Sequence, residues 1–161
     1  MAIQEPGGGE IASRLQSMLP EHSRGISIFQ ENGCPACSKT CDLFIVLRTQ
    51  GESKLREVKT KVLLAPGNVS PEILRGISSE WVVSYGLSGK DTITVSSLEP
   101  GFALLTLQRE LVTLAGRVIE QQEIPLPFPK HLSAQELMVL YGSLIILGTP
   151  PESLGEKTPS P

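Results

Sequence analysis

The chain has 161 residues, 40% of them apolar and 19% charged, which is too apolar for general disorder and long enough to bury roughly 70% of its unfolded surface without a disulfide or metal. Its formal net charge of −3 supplies no positive potential for a phosphate backbone or an anionic membrane. Aromatic residues are only 4%, with Trp81 the sole tryptophan, so bases would find almost nothing to stack on. The partner expected is a protein or a small molecule, with a homo-oligomer as a further option, and neither nucleic acid nor membrane.

In chain order, residues 1–24 are rich in Gly and polar groups and read as a flexible N-terminal arm, with one weak amphipathic piece at Ile11 to Leu19. No export signal is expected, because Met1 to Glu10 holds two acids and Gly7-Gly8-Gly9 where a signal peptide has a basic start and an apolar run. Ile26 to Phe29 predicts a short strand, followed by a turn, Cys34-Pro35-Ala36-Cys37 and a helix over the apolar run Leu43 to Leu47. Val58 to Leu64 predicts a second strand ending at Pro66-Gly67-Asn68. Ser70 then caps a short helix with Pro71 at its first position and Ile73, Leu74 and Ile77 inward.

Strands are predicted at Trp81 to Tyr85 and at Asp91 to Leu98, the latter alternating Ile93 and Val95 with threonines and serines before Pro100-Gly101. Ala103 to Leu114 fits a helical stripe or a strand. The following Ala115-Gly116 and Arg117 to Ile124 favour a hairpin, whose second strand Pro125, Pro127 and Pro129 should end. Ser133 with Glu136 forms a capping box for a helix that is apolar nearly all round, hence central to the core. Its most apolar part, Leu137 to Leu147, is well short of the roughly 20 residues that span a bilayer. Residues 149–161 read as a Pro-rich disordered tail. The fold class expected is α/β: a single domain over residues 25–148 with a mixed sheet, an antiparallel meander in its second half, and packed helices.

Chemical signals are sparse. Cys34 and Cys37, between a strand and a helix N-terminus, have the spacing of a thiol pair whose first sulfur is activated by the helix dipole. Cys41 would add a third sulfur on the same helical face, and three thiolates with His22 or His131 would suit zinc or part of an iron–sulfur cluster, though the spacing matches no established cluster pattern. Three small, partly buried apolar residues are the plainer reading. An odd number of cysteines crowded into eight positions suits a reducing compartment, so the location expected is cytoplasmic. Gly86-Leu87-Ser88-Gly89-Lys90-Asp91-Thr92 has glycines before a lysine, but it lacks the four-residue glycine spacing and following helix of a phosphate loop and reads as a turn.

Two resemblances attach to these residues. Ile28 to Cys37 resembles the opening of a glutaredoxin or thioredoxin, although Ser78-Ser79-Glu80 stands where those folds place a proline before the strand facing the thiols. More extensively, Trp81 to Ser88, Asp91 to Leu98, Pro125 to His131, the helix through Leu147 and Gly148 to Leu154 resemble the central domain of the Mur ligases over about residues 62–154. The Ser84 to Leu87, Thr92 to Ser97 and Leu107 to Arg109 segments are also similar to small proteins of Firmicutes. The ligase resemblance implies a connection with cell-wall metabolism. The candidate ligand-binding residues are Tyr85, Gly86, Lys90, Arg109 and His131. The ligases' phosphate loop has no counterpart here. Of their Gly-x-His-Asn-x-x-Asn motif only His131 is kept, with Lys130 near the glycine position and Leu132 and Gln135 in place of the asparagines. The expected function is therefore a non-catalytic cytoplasmic binding or accessory protein that takes a nucleotide-sugar or a protein partner. The alternatives are a thiol redox or metal-binding protein using Cys34, Cys37 and Cys41, and a nucleotide-binding enzyme using Gly86 to Thr92 and His131.

Overall fold

The structure, a computed structural model, describes residues 2–4, 10–19, 29–30, 39–47 and 57–156. Cys34 and Cys37, His22 and most of the first predicted strand lie outside the described residues. In chain order the elements are β1 (Ala2–Gln4), α1 (Glu10–Met18), β2 (Phe29–Gln30), β3 (Lys39–Val46), β4 (Val58–Pro66), α2 (Pro71–Leu74), β5 (Ile77–Tyr85), β6 (Ile93–Glu99), β7 (Gly101–Leu107), β8 (Leu111–Val112), β9 (Val118–Ile119), β10 (Gln122–Phe128), α3 (Ala134–Ile146) and a 3-10 helix (Pro151–Glu156). One sheet runs β10-β7-β6-β5-β4-β3-β1-β2, parallel from β2 to β6 and antiparallel from β6 to β10; β8 and β9 pair separately. The α/β class and the mixed sheet with its meander are as the sequence predicts.

The apolar run Leu43 to Val46 is strand, not the expected helix. Each of its four residues is fully buried because helices cover both faces of the parallel half, and such strands read as continuous rather than alternating apolar runs. On one face, Leu43, Ile45, Val62, Leu64, Val83, Tyr85 and Ile93 pack against α1 and α3; on the other, Phe44, Val46, Leu63 and Ala65 pack with Ile73 of α2. Helix α1 lies inside the segment read as a flexible arm, yet Ile11, Leu15 and Met18 belong to the main core. Its sequence is short and its polar residues numerous, so the stripe Ile11, Leu15, Met18 was its only inward signal. Leu154 of the 3-10 helix, within the segment read as a disordered tail, is likewise fully buried.

The second half corrects one detail. The hairpin is present, since β7 pairs with β10 from Leu107↔Gln122 to Gly101↔Phe128, but β10 continues through Pro125 and Pro127 instead of ending there. β10 is the last strand of the sheet, so its prolines direct their missing N–H toward the side without a ladder partner. The Ala115-Gly116 turn is the tip of the small β8–β9 pair, where Gly116 takes a φ of 80° and donates its N–H to the Thr113 carbonyl at 2.9 Å. Helix α3 begins as its sequence dictates: the Ser133 hydroxyl accepts from the Glu136 N–H at 3.2 Å, and the Glu136 carboxylate accepts from the Ser133 N–H at 2.7 Å. Residues 137–146 of α3 are buried throughout. Among the described residues, no helix is long and apolar enough to cross a membrane.

Candidate functional site

Strands β5 and β6 meet only at Tyr85↔Ile93, so β6 starts where β5 ends and the seven residues between them form a loop at the carboxyl end of the parallel strands. Such a crevice is where open α/β sheets bind ligands. A cavity of about 520 Å³ lies here, lined by Pro66, Gly67 and Asn68 after β4, Tyr85 to Ser88 with Lys90 and Asp91 after β5, and Ala134, Gln135 and Met138 in the first turns of α3.

Asp91 organises the loop. Only 5% of it is exposed; its carboxylate accepts the Ser88 N–H at 3.1 Å while its own N–H returns to the Ser88 carbonyl at 3.0 Å. Gly67 and Gly86 flank the carboxylate so closely that a Cβ on either would overlap its oxygens. Glycine is thus required on both sides by proximity. The loop is tied back at both ends: the Gly67 N–H donates to the Tyr85 carbonyl at 2.9 Å, the Gly86 N–H to the Ile93 carbonyl at 3.1 Å, and the Thr92 N–H to Ser84 Oγ at 3.1 Å.

The floor is held by Tyr85, whose hydroxyl donates to the Val46 carbonyl at 2.9 Å. Gln135 Nε2 donates to the Leu47 carbonyl at 3.1 Å and, more weakly, to the Tyr85 oxygen at 3.5 Å. Burial pushes the Tyr85 phenol far above its ordinary range, against the opposing effect of Gln135, so it stays neutral and remains a donor. Above this floor, Lys90 is exposed, and Ala134 and Gln135, whose N–H groups no helical carbonyl can satisfy, bring the first turn of α3 to the cavity wall beside the Ser133–Glu136 cap. The arrangement can hold an anionic or hydroxylated group against a partly apolar surface.

Of the sequence candidates, Tyr85, Gly86 and Lys90 come together at this cavity, whereas Arg109 and His131 are exposed residues outside its lining. Gly86 to Thr92 is a loop leading into a strand, as read, rather than a phosphate loop. Cys41 lies in β3, half-buried against the second core cluster, so the helical face expected to join it to Cys37 is absent at its position. No group of three or more metal-ligating side chains occurs among the described residues. The sequence offers Asp91 only as part of the Gly86 to Thr92 turn and Gln135 only as a replacement for a motif asparagine, not as members of the site. The available signal for Asp91 was a pair of glycines, one after each of two parallel strands.

No family model and no curated protein matches the chain by sequence. Among solved structures it is similar to UDP-N-acetylmuramoylalanyl-D-glutamyl-2,6-diaminopimelate--D-alanyl-D-alanyl ligase from Acinetobacter baumannii, at TM-score 0.57 and 12% identity over 99% of this chain and 46% of that one. Two crystal structures of MurF from Acinetobacter baumannii superpose at TM-scores of 0.56 and 0.55 with 12% and 11% identity. The chain thus shares the fold of a Mur ligase fragment and spans about half the length of those proteins.

Proposed function

We propose that this chain is a non-catalytic binding or accessory protein connected with cell-wall metabolism, and that it holds an anionic nucleotide-sugar or its peptide-bearing form in the cavity between the β4 and β5 ends and α3. The observation that carries the reading is the placement of that cavity at the strand ends, with Lys90 and the positive end of α3 converging on it. Likeness of fold to proteins named for a UDP-N-acetylmuramoyl substrate supports the ligand class. A binding role suits the lining chemistry. Asp91 is engaged with Ser88, Tyr85 is locked as a donor to Val46, and Lys90 is exposed, so among the described lining residues no acid–base pair is arranged across the cavity.

Thermal unfolding with a UDP-N-acetylmuramoyl peptide tests this. Ligand at about 100 times its Kd adds about 2.7 kcal/mol, which raises Tm by roughly 5–10 °C for a chain of this size. Lys90→Ala should lose most of that shift without lowering the unliganded Tm, because the side chain is exposed. No shift in the wild-type protein, or an equal shift in Lys90→Ala, would contradict the reading.

A further inference from the structure

Lys90 and Asp91 are neighbours of opposite charge, and both line the cavity, yet they do not pair with each other. Lys90 is exposed, whereas only 5% of Asp91 is. One oxygen of the Asp91 carboxylate, Oδ2, accepts the Ser88 N–H at 3.1 Å. The other, Oδ1, lies over Gly67 and has no hydrogen-bond partner among the described residues. It is not one of the sealed, unpartnered polar atoms, which are Arg14 Nε, Ser70 Oγ and Ser143 Oγ, so it opens to the cavity that Asp91 lines. A carboxylate withdrawn so far from water, with one oxygen unpaired and no cation beside it, is costly unless something else donates to it.

The floor beside it also accepts rather than donates. The Leu47 carbonyl takes the Gln135 Nε2 group at 3.1 Å, which fixes the orientation of that amide and leaves its Oε1 as an acceptor without a partner among the described residues. The Tyr85 hydroxyl already directs its proton to the Val46 carbonyl. A metal ion does not suit this set, since no group of three or more metal-ligating side chains occurs among the described residues. We propose that the cavity recognises a primary ammonium group carried a few bonds from an anionic one: the ammonium donates to Asp91 Oδ1 and Gln135 Oε1, and the anion meets Lys90 at the mouth. This rests on the reading of the cavity as a binding site and names the part of the ligand that enters it. An amine-bearing peptide end is then held inside, and the bare nucleotide-sugar lacks the group that the floor selects.

Amide-resolved NMR titration of the full chain with γ-aminobutyrate, and in parallel with butyrate, tests the pairing of charges without any nucleotide or sugar. γ-Aminobutyrate is expected to give saturable shifts at Gly67, Gly86 to Asp91 and Gln135, and butyrate to bind roughly tenfold more weakly or worse, the usual scale of a charge-assisted hydrogen bond. Asp91→Asn keeps an oxygen for the Ser88 N–H and should abolish the difference between the two probes; should it fail to fold, the comparison in the wild-type chain decides. Equal shifts from both probes, or none from either, overturn the proposal. A UDP-N-acetylmuramoyl peptide bearing a free amine and the same peptide with that amine acetylated separate this inference from the reading beneath it. Equal affinity for the two at the cavity overturns the ammonium site and leaves the nucleotide-sugar reading standing. Binding of γ-aminobutyrate but of neither peptide supports the ammonium site and removes that reading.

Discussion

Arg14 and Glu136 show how single residues join segments that are far apart in the sequence. Arg14 is 7% exposed, pairs with Glu10 one turn away, and donates to Glu136 at 2.9 Å across 122 residues. Glu136 also closes the cap of α3 through Ser133, so one carboxylate fixes both the start of the helix at the cavity and the docking of α1. Desolvation pushes the Glu136 pKa up, but the Ser133 and Arg14 interactions outweigh it and hold the group below its ordinary value. A carboxylate with a depressed folded pKa contributes stability that is complete above its unfolded value and is lost as pH falls through the folded one. Glu136→Gln keeps a capping side chain and removes the charge. Its unfolding free energy should fall below that of the wild-type chain at neutral pH, and the two curves should converge below about pH 4; parallel curves in urea titrations across that range would contradict the assignment. Gly67→Ala places its Cβ on the Asp91 carboxylate and should destabilise by about 1–3 kcal/mol in the same titrations.

Among the elements, α1 is the one whose role the sequence conceals. Its nine residues lie between segments rich in glycine and proline, and a stripe of three apolar positions is too short to distinguish a docked helix from a transient one. Only the tertiary contacts with α3 and the sheet decide it. Leu15 is fully buried there, so Leu15→Ala should cost about 2–5 kcal/mol of unfolding free energy, where a mobile arm would give no change. The run at β3 was misread for a related reason: four apolar residues in succession have no period, and only burial on both sides shows them to be strand. The prolines of β10 suggested a strand end because their tolerance on an edge depends on strand order, which no local pattern contains. By contrast α3 was legible to the residue at its start, since its capping box is a local interaction between Ser133 and Glu136.

At the scale of the molecule, the mixed sheet and its meander were readable from strand periodicity, and the Tyr85-Gly86 end of β5 from its resemblance to a Mur ligase. The cavity itself was only half readable. Tyr85, Gly86 and Lys90 are close in sequence, whereas Gly67, Asp91 and Gln135 join them through the parallel pairing of β4 with β5 and the packing of α3 across the sheet. A shared fold at 12% identity leaves the ligand to be decided by this lining rather than by descent. The most direct measurement is an amide-resolved NMR titration of the full chain with a UDP-N-acetylmuramoyl peptide. The account predicts saturable shifts concentrated at Gly67, Asn68, Gly86 to Asp91, Ala134 and Gln135. An unchanged spectrum, or shifts gathered on a surface away from these residues, would contradict it.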